Sequence, residues 1–306
     1  FETCLYTYTS NHDVMKEYIR TPLSLAIEKG NIDIVRLLLS NDRINVNARD
    51  IDCQEYEDRD NICFYKVMNF MDICKIDIEE EYQSSSKHPI NQKSPLIIAV
   101  EHGNIEIVRL LLSFPNIDIN FISNIGKKEK LNIEWQEVSA LYIAVDRGMV
   151  DIVNLLLSNP DINVNQYYMY KYSKIKHRTE RTLYERPKRI VNGYKYSIRK
   201  TVLIKAIENE NVSIVRSLIN CHNLNVNDVM YENYFSMRYS YREYYTKSPL
   251  YLAVSLLHRK LVELLLSCTN IDVNYESSSF GNKKQTALNL AQQKEYKSII
   301  SLLENH

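Results

Sequence analysis

Histidine and cysteine are the side chains of this 306-residue sequence best suited to catalysis or metal binding, and neither is arranged for it. His12, His88, His102, His177, His222, His258 and His306 are scattered, with no Cys, Ser or carboxylate at a spacing that makes a nucleophile pair or a metal set. Cys53, Cys63, Cys74 and His88 come nearest to a zinc site. Zinc sites pair their cysteines about two to four residues apart, and these stand much further from one another. The six glycines never cluster, so no phosphate-cradling loop can form. The sequence therefore predicts a non-catalytic chain without cofactor or metal. Asn211-Val212-Ser213 fits a glycosylation acceptor, which has no meaning in the reduced, cytoplasmic setting that the cysteine usage suggests.

Binding chemistry, in contrast, is concentrated. Between Gln166 and Lys200 stand eleven Lys or Arg, two acids and seven tyrosines, Tyr167, Tyr168, Tyr170, Tyr172, Tyr184, Tyr194 and Tyr196. Between Asp228 and Lys247 lie Tyr231, Tyr234, Tyr239, Tyr241, Tyr244 and Tyr245 beside Arg238 and Arg242. Tyr and Arg offer large, rigid contact area with a polar tip and dominate the energetics of protein interfaces. Alternation at 168, 170 and 172, and at 239 and 241, predicts hairpin strands on which tyrosines would also pair with one another. The candidate partner contacts are Tyr167, Tyr168, Tyr170, Tyr172, Arg178, Arg181, Arg238, Tyr239, Tyr241, Arg242, Tyr244 and Tyr245. An alternative use of 166–200 is nucleic-acid or acidic-lipid binding, with Lys171, Lys174, Lys176, Arg178, Arg181, Arg186, Lys188 and Arg189 following phosphates while tyrosines stack on bases.

These stretches interrupt a phrase that the chain writes six times, starting at Thr21, Ser94, Ser139, Thr201, Ser248 and Thr286. The clearest copy is SPLIIAVEHGNIEIVRLLLSFPNIDIN from Ser94 to Asn120. Ser or Thr caps a first helix, and Pro22, Pro95 and Pro249 follow where a missing N–H costs nothing. Gly30, Gly103 and Gly148 end that helix in a left-handed turn. Ile34, Val35, Leu38 and Leu39 then gather on one side of a second helix. Neither helix is long enough to stand alone in water, so each pair must be covered by the next. Stacking is the expected source of stability.

The run Thr-Pro-Leu-x-x-Ala, then Gly, then Ile-Val-Arg-Leu-Leu-Leu, then Val-Asn resembles the ankyrin repeat. It is similar in particular to the ankyrin proteins of protists such as trichomonads, whose units end in phrases like LLLSNPDINVN. The resemblance implies an all-α solenoid of about six helix pairs, joined by β-hairpin fingers along one edge. It also implies protein partners on the concave face, at the late first-helix positions Glu28 and Lys29, Glu101 and His102, Asp146 and Arg147, Glu208 and Asn209, and Ser255 and Leu256. An acid opens four of these pairs, against the helix dipole, which points to a groove for a basic or mixed-charge peptide; Lys29, His102 and Arg147 would otherwise simply neutralise those acids. The sequence departs from the family at its histidine, replaced by Ser24, Ile97, Tyr142, Ile204, Tyr251 or Asn289. It departs again at the inter-helix glycine, replaced by Glu210, Leu257 and Glu295. A left-handed residue other than glycine costs on the order of 1 kcal/mol, so those helices are expected to end differently.

Residues 21–306 read as one solenoid, with 1–20 the tail or finger of a preceding partial repeat. The acidic insertion at 48–93 holds either a decayed repeat or a hairpin, and Gly126 suggests a finger turning at Asn124 to Lys128. Charge balances at 38 basic and 38 acidic residues, which favours no partner class. No apolar run approaches the ~18 residues of a membrane span. A start at Phe1, in mid-pattern and without a leader, suggests a fragment of a cytoplasmic monomer.

Overall fold

The structure, a computed structural model, describes residues 14–56, 90–129, 132–180, 188–236, 241–279 and 283–306. Helices come in pairs of seven and eight residues: α1 (Pro22–Glu28) with α2 (Ile32–Leu39), α3 (Pro95–Glu101) with α4 (Ile105–Leu112), and α5 (Ala140–Asp146) with α6 (Val150–Leu157). Then follow α7 (Val202–Glu208) with α8 (Val212–Ile219), α9 (Pro249–Ser255) with α10 (Arg259–Leu266), and α11 (Ala287–Gln293) with α12 (Lys297–Glu304). First helices pack chiefly on neighbouring first helices and on their own partner, and second helices likewise, so the pairs stand in a row.

Local chemistry sets each boundary. Ser94 Oγ accepts from the Ile97 N–H at 3.3 Å, and Ser139, Ser248 and Thr286 cap in the same way. At Thr21 and Thr286 the cap is reciprocal, because Ser24 and Asn289 return a side-chain bond to the cap N–H. Asn31, Asn104 and Asn211 cap the second helices, so the asparagine of the glycosylation triplet already accepts the Ile214 N–H at 3.0 Å.

The expectation that helices end differently without glycine is wrong. Glu210, Leu257 and Glu295 adopt φ of 52°, 59° and 57°, beside 63°, 68° and 68° at Gly30, Gly103 and Gly148. All six sites make the same two bonds, illustrated by Leu257 N–H to Val254 O at 3.0 Å and His258 N–H to Ala253 O at 3.2 Å. The second helix must turn back at one angle to stack, and that requirement overrides the residue's own preference.

One continuous apolar cluster runs the length of the row. Ile107, Ile152, Ile214, Leu261 and Ile299 are buried at one second-helix position, whereas their counterpart Ile34, on the first helix of that layer, is 47% exposed. The same side chain is dry or wet according to whether a preceding pair covers it, and full burial of each is worth roughly 1.5–3 kcal/mol. A ladder of asparagines adds polar links. Asn47, Asn120, Asn165 and Asn227 each donate Nδ2 to a carbonyl of the next unit's loop and accept an N–H of that loop on Oδ1, at 2.6–2.9 Å.

The all-α class is overturned, because a six-stranded antiparallel sheet and two smaller sheets stand beside the helices. Their strands are β1 (Val14–Ile19), β2 (Asp50–Tyr56), β3 (Ile90–Lys93), β4 (Ser123–Glu129), β5 (Asn132–Val138), β6 (Tyr168–Glu180), β7 (Lys188–Lys200), β8 (Met230–Ser236), β9 (Tyr241–Lys247), β10 (Ser277–Ser279) and β11 (Lys283–Gln285). The strands β4 to β9 pair in sequence order as one antiparallel six-stranded sheet, flanked by β1-β2-β3 and β10-β11. Each finger hydrogen-bonds to the next instead of hanging free. Stacked helices stand about 8–10 Å apart, which is two strand spacings of about 4.8 Å, so hairpins issuing from successive pairs meet at sheet distance. Their edge N–H and C=O groups then satisfy one another. Asn124 to Lys128, expected as a turn, lie within β4. Gly126 serves a close approach there, its N–H donating to Asn91 Oδ1 of β3 at 2.7 Å. Most of the 48–93 insertion, with Cys63, Cys74 and His88, lies outside the described residues, as does 1–13.

Candidate functional site

The sheet has two chemically different faces. Side chains alternate along a strand, and the pairing register carries that alternation across the sheet. Tyr172 lies opposite Tyr196, Tyr196 opposite Tyr234, and Tyr234 opposite Glu243. One face therefore collects Tyr170, Tyr172, Tyr194, Tyr196, Tyr234, Tyr241 and Tyr245 with Glu134, Glu232 and Glu243. This face turns toward the first helices. Lys200, on the same face, reaches Glu208 at the end of α7 at 2.6 Å, and Tyr168 meets the α5 cap, its OH 2.7 Å from Ser139 Oγ. Helix ends and tyrosine face thus form the floor and wall of one groove.

Within the wall, Tyr172, Tyr194 and Tyr234 stack in a line with ring centroids 5.8 and 6.0 Å apart. Carboxylates hold the hydroxyls of other tyrosines on this face. The buried Glu243 accepts from both Tyr241 and Tyr245. Burial first, then the Glu232 carboxylate, push the Tyr196 phenol above its ordinary value, and Tyr170 is raised likewise by burial and Glu134. These tyrosines remain neutral and donate to the carboxylates beside them.

The opposite face carries Trp135, Glu137, Lys171, Lys195, Arg199, Tyr231, Phe235, Arg242 and Tyr244. Arg199 lies 4.1 Å over Tyr167 and 5.9 Å from the Tyr231 ring, and Arg242 lies 5.3 Å over Phe235 while donating to Tyr244 OH at 3.0 Å. Burial, then the Asp228 carboxylate, raise Tyr167 to about 12.

The tyrosines and arginines expected at the fingers are thus divided. Tyr170, Tyr172 and Tyr241 line the groove wall. Tyr167, Arg242 and Tyr244 lie on the far face. Tyr168 and Tyr245 are buried and support the sheet from within. Arg178 pairs with Ile190 in the outer part of β6, and Arg181, Arg238 and Tyr239 lie outside the described residues.

On the floor, the recurring acids are paired, but not with the neighbours expected. Glu28, Glu101 and Glu208 face Arg20, Lys93 and Lys200, the residues just ahead of the helix caps, at 3.7, 2.7 and 2.6 Å. Val138 occupies that place before α5, and Asp146 turns to Lys205 of the next unit at 2.7 Å. Ser255 needs no cation and donates to Leu252 O, so Lys247 pairs with Glu232 on the wall at 2.7 Å. A basic residue immediately before the cap in four of the six units, Arg20, Lys93, Lys200 and Lys247, was the sequence signal for this pairing. The second positions are helix C-caps, from Lys29 and His102 to the half-buried Leu256. Of these, Arg147 donates back to Glu101 O, and Asn209 to Asp146 O at 3.0 Å, tying one unit to the last. Tyr194, Tyr196 and Tyr234 are wall residues that strand alternation alone does not assign, because the phase depends on register between insertions.

Among the described residues, no three His, Cys, Asp or Glu converge as a metal site, and no helix is long and apolar enough to cross a membrane. Cys221 and Cys268 are free thiols, raised by burial. A row of helix pairs, each stacked on the next, defines a repeat protein. The family model described as ankyrin repeats (3 copies) matches residues 62–167 and 183–277, and the model for a single ankyrin repeat matches 19–51. The chain belongs to the ankyrin repeat family. Ankyrin repeats generally mediate protein–protein interaction and are typically non-catalytic. A search of curated proteins gives no match.

Proposed function

We propose that this chain is a protein-interaction scaffold whose partner lies in the groove between the first-helix ends and the tyrosine wall. The observation that carries this reading is the line Tyr172, Tyr194, Tyr234. Three adjoining rings, already ordered against one another, offer apolar area and hydroxyl donors at little entropic cost. The alternative of nucleic acid or lipid on 166–200 rests on cations whose side chains from Lys176 to Arg189 lie outside the described residues, and two further cations of the segment are already engaged. Arg199 lies against two tyrosine rings beside Asp228, and Lys200 is spent on Glu208.

Affinity capture from the cells of origin, read by mass spectrometry, tests the proposal with wild type and a Tyr172→Ser, Tyr194→Ser, Tyr234→Ser variant. Each aromatic anchor is worth about 2 kcal/mol, roughly thirtyfold in affinity. A discrete protein set lost in the variant, with circular dichroism unchanged, supports the reading. The same set recovered by both overturns it.

A further inference from the structure

At the N-terminal end of the groove, a cavity of about 100 Å³ opens where the base of β2 meets the ends of α1 and α3. Its most buried polar side chain is Asp50, only 3% exposed. Asp50 Oδ1 accepts the Thr21 N–H at 3.1 Å, but Oδ2 accepts no hydrogen bond from the described residues. Arg20 Nε stands 3.6 Å from this oxygen and 3.7 Å from Glu28 Oε1, close enough for Coulomb attraction but too far for a hydrogen bond to either. We propose that this notch is a subsite for a basic side chain, lysine or arginine, of the protein held in the groove; the inference rests on the groove reading above.

Charge selects the guest. Among the described residues lining the notch, Glu28, Asp50 and Glu101 face two permanent cations, Arg20 and Lys93. Lys93 is held by both oxygens of Glu101, at 2.9 and 2.7 Å, so the uncompensated negative charge sits with Glu28 and Asp50. An anion would meet that charge, and a metal ion would find no third ligand, since no such group converges among the described residues. An ammonium or guanidinium supplies what Oδ2 lacks: an N–H donor with a charge of opposite sign. The volume corresponds to about three waters, enough for that head group and its last methylene. Further along the row the equivalent acids are closed directly, Asp146 by Lys205 at 2.7 Å and Glu208 by Lys200 at 2.6 Å. Burial makes the pairing count, because the low local dielectric strengthens it and leaves an unpaired oxygen costly.

The test is selection of a random dodecapeptide display library on the full chain, followed by titration of the selected peptides. The proposal expects them to share a Lys or Arg whose replacement by Ala weakens binding about tenfold or more. Asp50→Asn should weaken the parent peptide equally and the Ala peptide not at all; a Lys-for-Arg exchange shows which head group fits better. Asn at position 50 keeps the oxygen that accepts the Thr21 N–H, and Glu28→Gln provides a second variant at a more exposed site. Peptides bound within about twofold by wild type, Asp50→Asn and Glu28→Gln overturn the subsite, and leave the groove reading intact if Tyr172→Ser still weakens them. Equal loss of the parent and Ala peptides in Asp50→Asn also overturns it. A library that yields no binder overturns the subsite and the groove together.

Discussion

Replacing Glu210 by glycine should stabilise this protein, although the substitution removes every side-chain contact at that position. Glu210 is exposed and sits at φ 52°, where an L side chain crowds its own backbone. The left-handed conformation costs about 1–2 kcal/mol in a residue with a Cβ, and glycine escapes it. Glycine also frees the unfolded chain, returning about 0.4–1 kcal/mol, so the expected net gain is about 0.5–1 kcal/mol. Glu210→Ala separates this from charge, since it removes the carboxylate and keeps the Cβ. The reverse change, Gly148→Ala, should cost about 1 kcal/mol. Its new Cβ would meet nothing closer than Asn211 Nδ2 at 3.5 Å, an ordinary contact, so that loss is conformational. Urea unfolding of the full chain, followed by helix signal, gives the midpoints. A Glu210→Gly midpoint at or below that of Glu210→Ala would refute the reasoning, because the left-handed turn would then carry no strain.

Asn120→Ala removes two bonds to the next unit's loop and should cost about 1–2 kcal/mol, whereas Asn274→Ala, at the same place in its unit but without such a clamp, should change stability little. Thermal unfolding of the two variants compares them directly. Thr201 is buried, and its Oγ1 makes no hydrogen bond. Thr201→Val should therefore be neutral within about 0.5 kcal/mol, while Ser139→Ala, which loses a cap bond and the Tyr168 hydroxyl, should cost about 1–2 kcal/mol. Burial raises the Asp50 carboxyl above its ordinary 3.8. The folded state then holds that proton more tightly than the unfolded state, so stability falls as pH rises from the ordinary value through the raised one. Asp50→Asn should flatten that part of the melting temperature against pH, and an unchanged slope would contradict the assignment.

The helix pairs were legible because their information is local: a cap hydroxyl, a proline, an Ala-Val or Ala-Ile pair, then Ile-Val-x-x-Leu at helical spacing. The left-handed turns at Glu210, Leu257 and Glu295 were not, because the stack dictates them against local preference. The tyrosines stood out in composition, yet their division between groove and far face depends on pairing between insertions far apart in sequence. Tyr172 reaches Tyr234 only through β7, and no periodicity within one insertion reveals that register. Asp50 carried no signal at all. It looked like one of several acids at the start of an insertion, and only folding beside Thr21 and Arg20 buries it.

The most direct test of the account is site-specific photo-crosslinking in the cells that make the protein. A benzophenone amino acid is placed at Tyr172 on the groove wall or at Asn154 on the exposed side of α6. The account predicts a discrete protein adduct from position 172 and none from 154. Adducts that form only from 154 would contradict it.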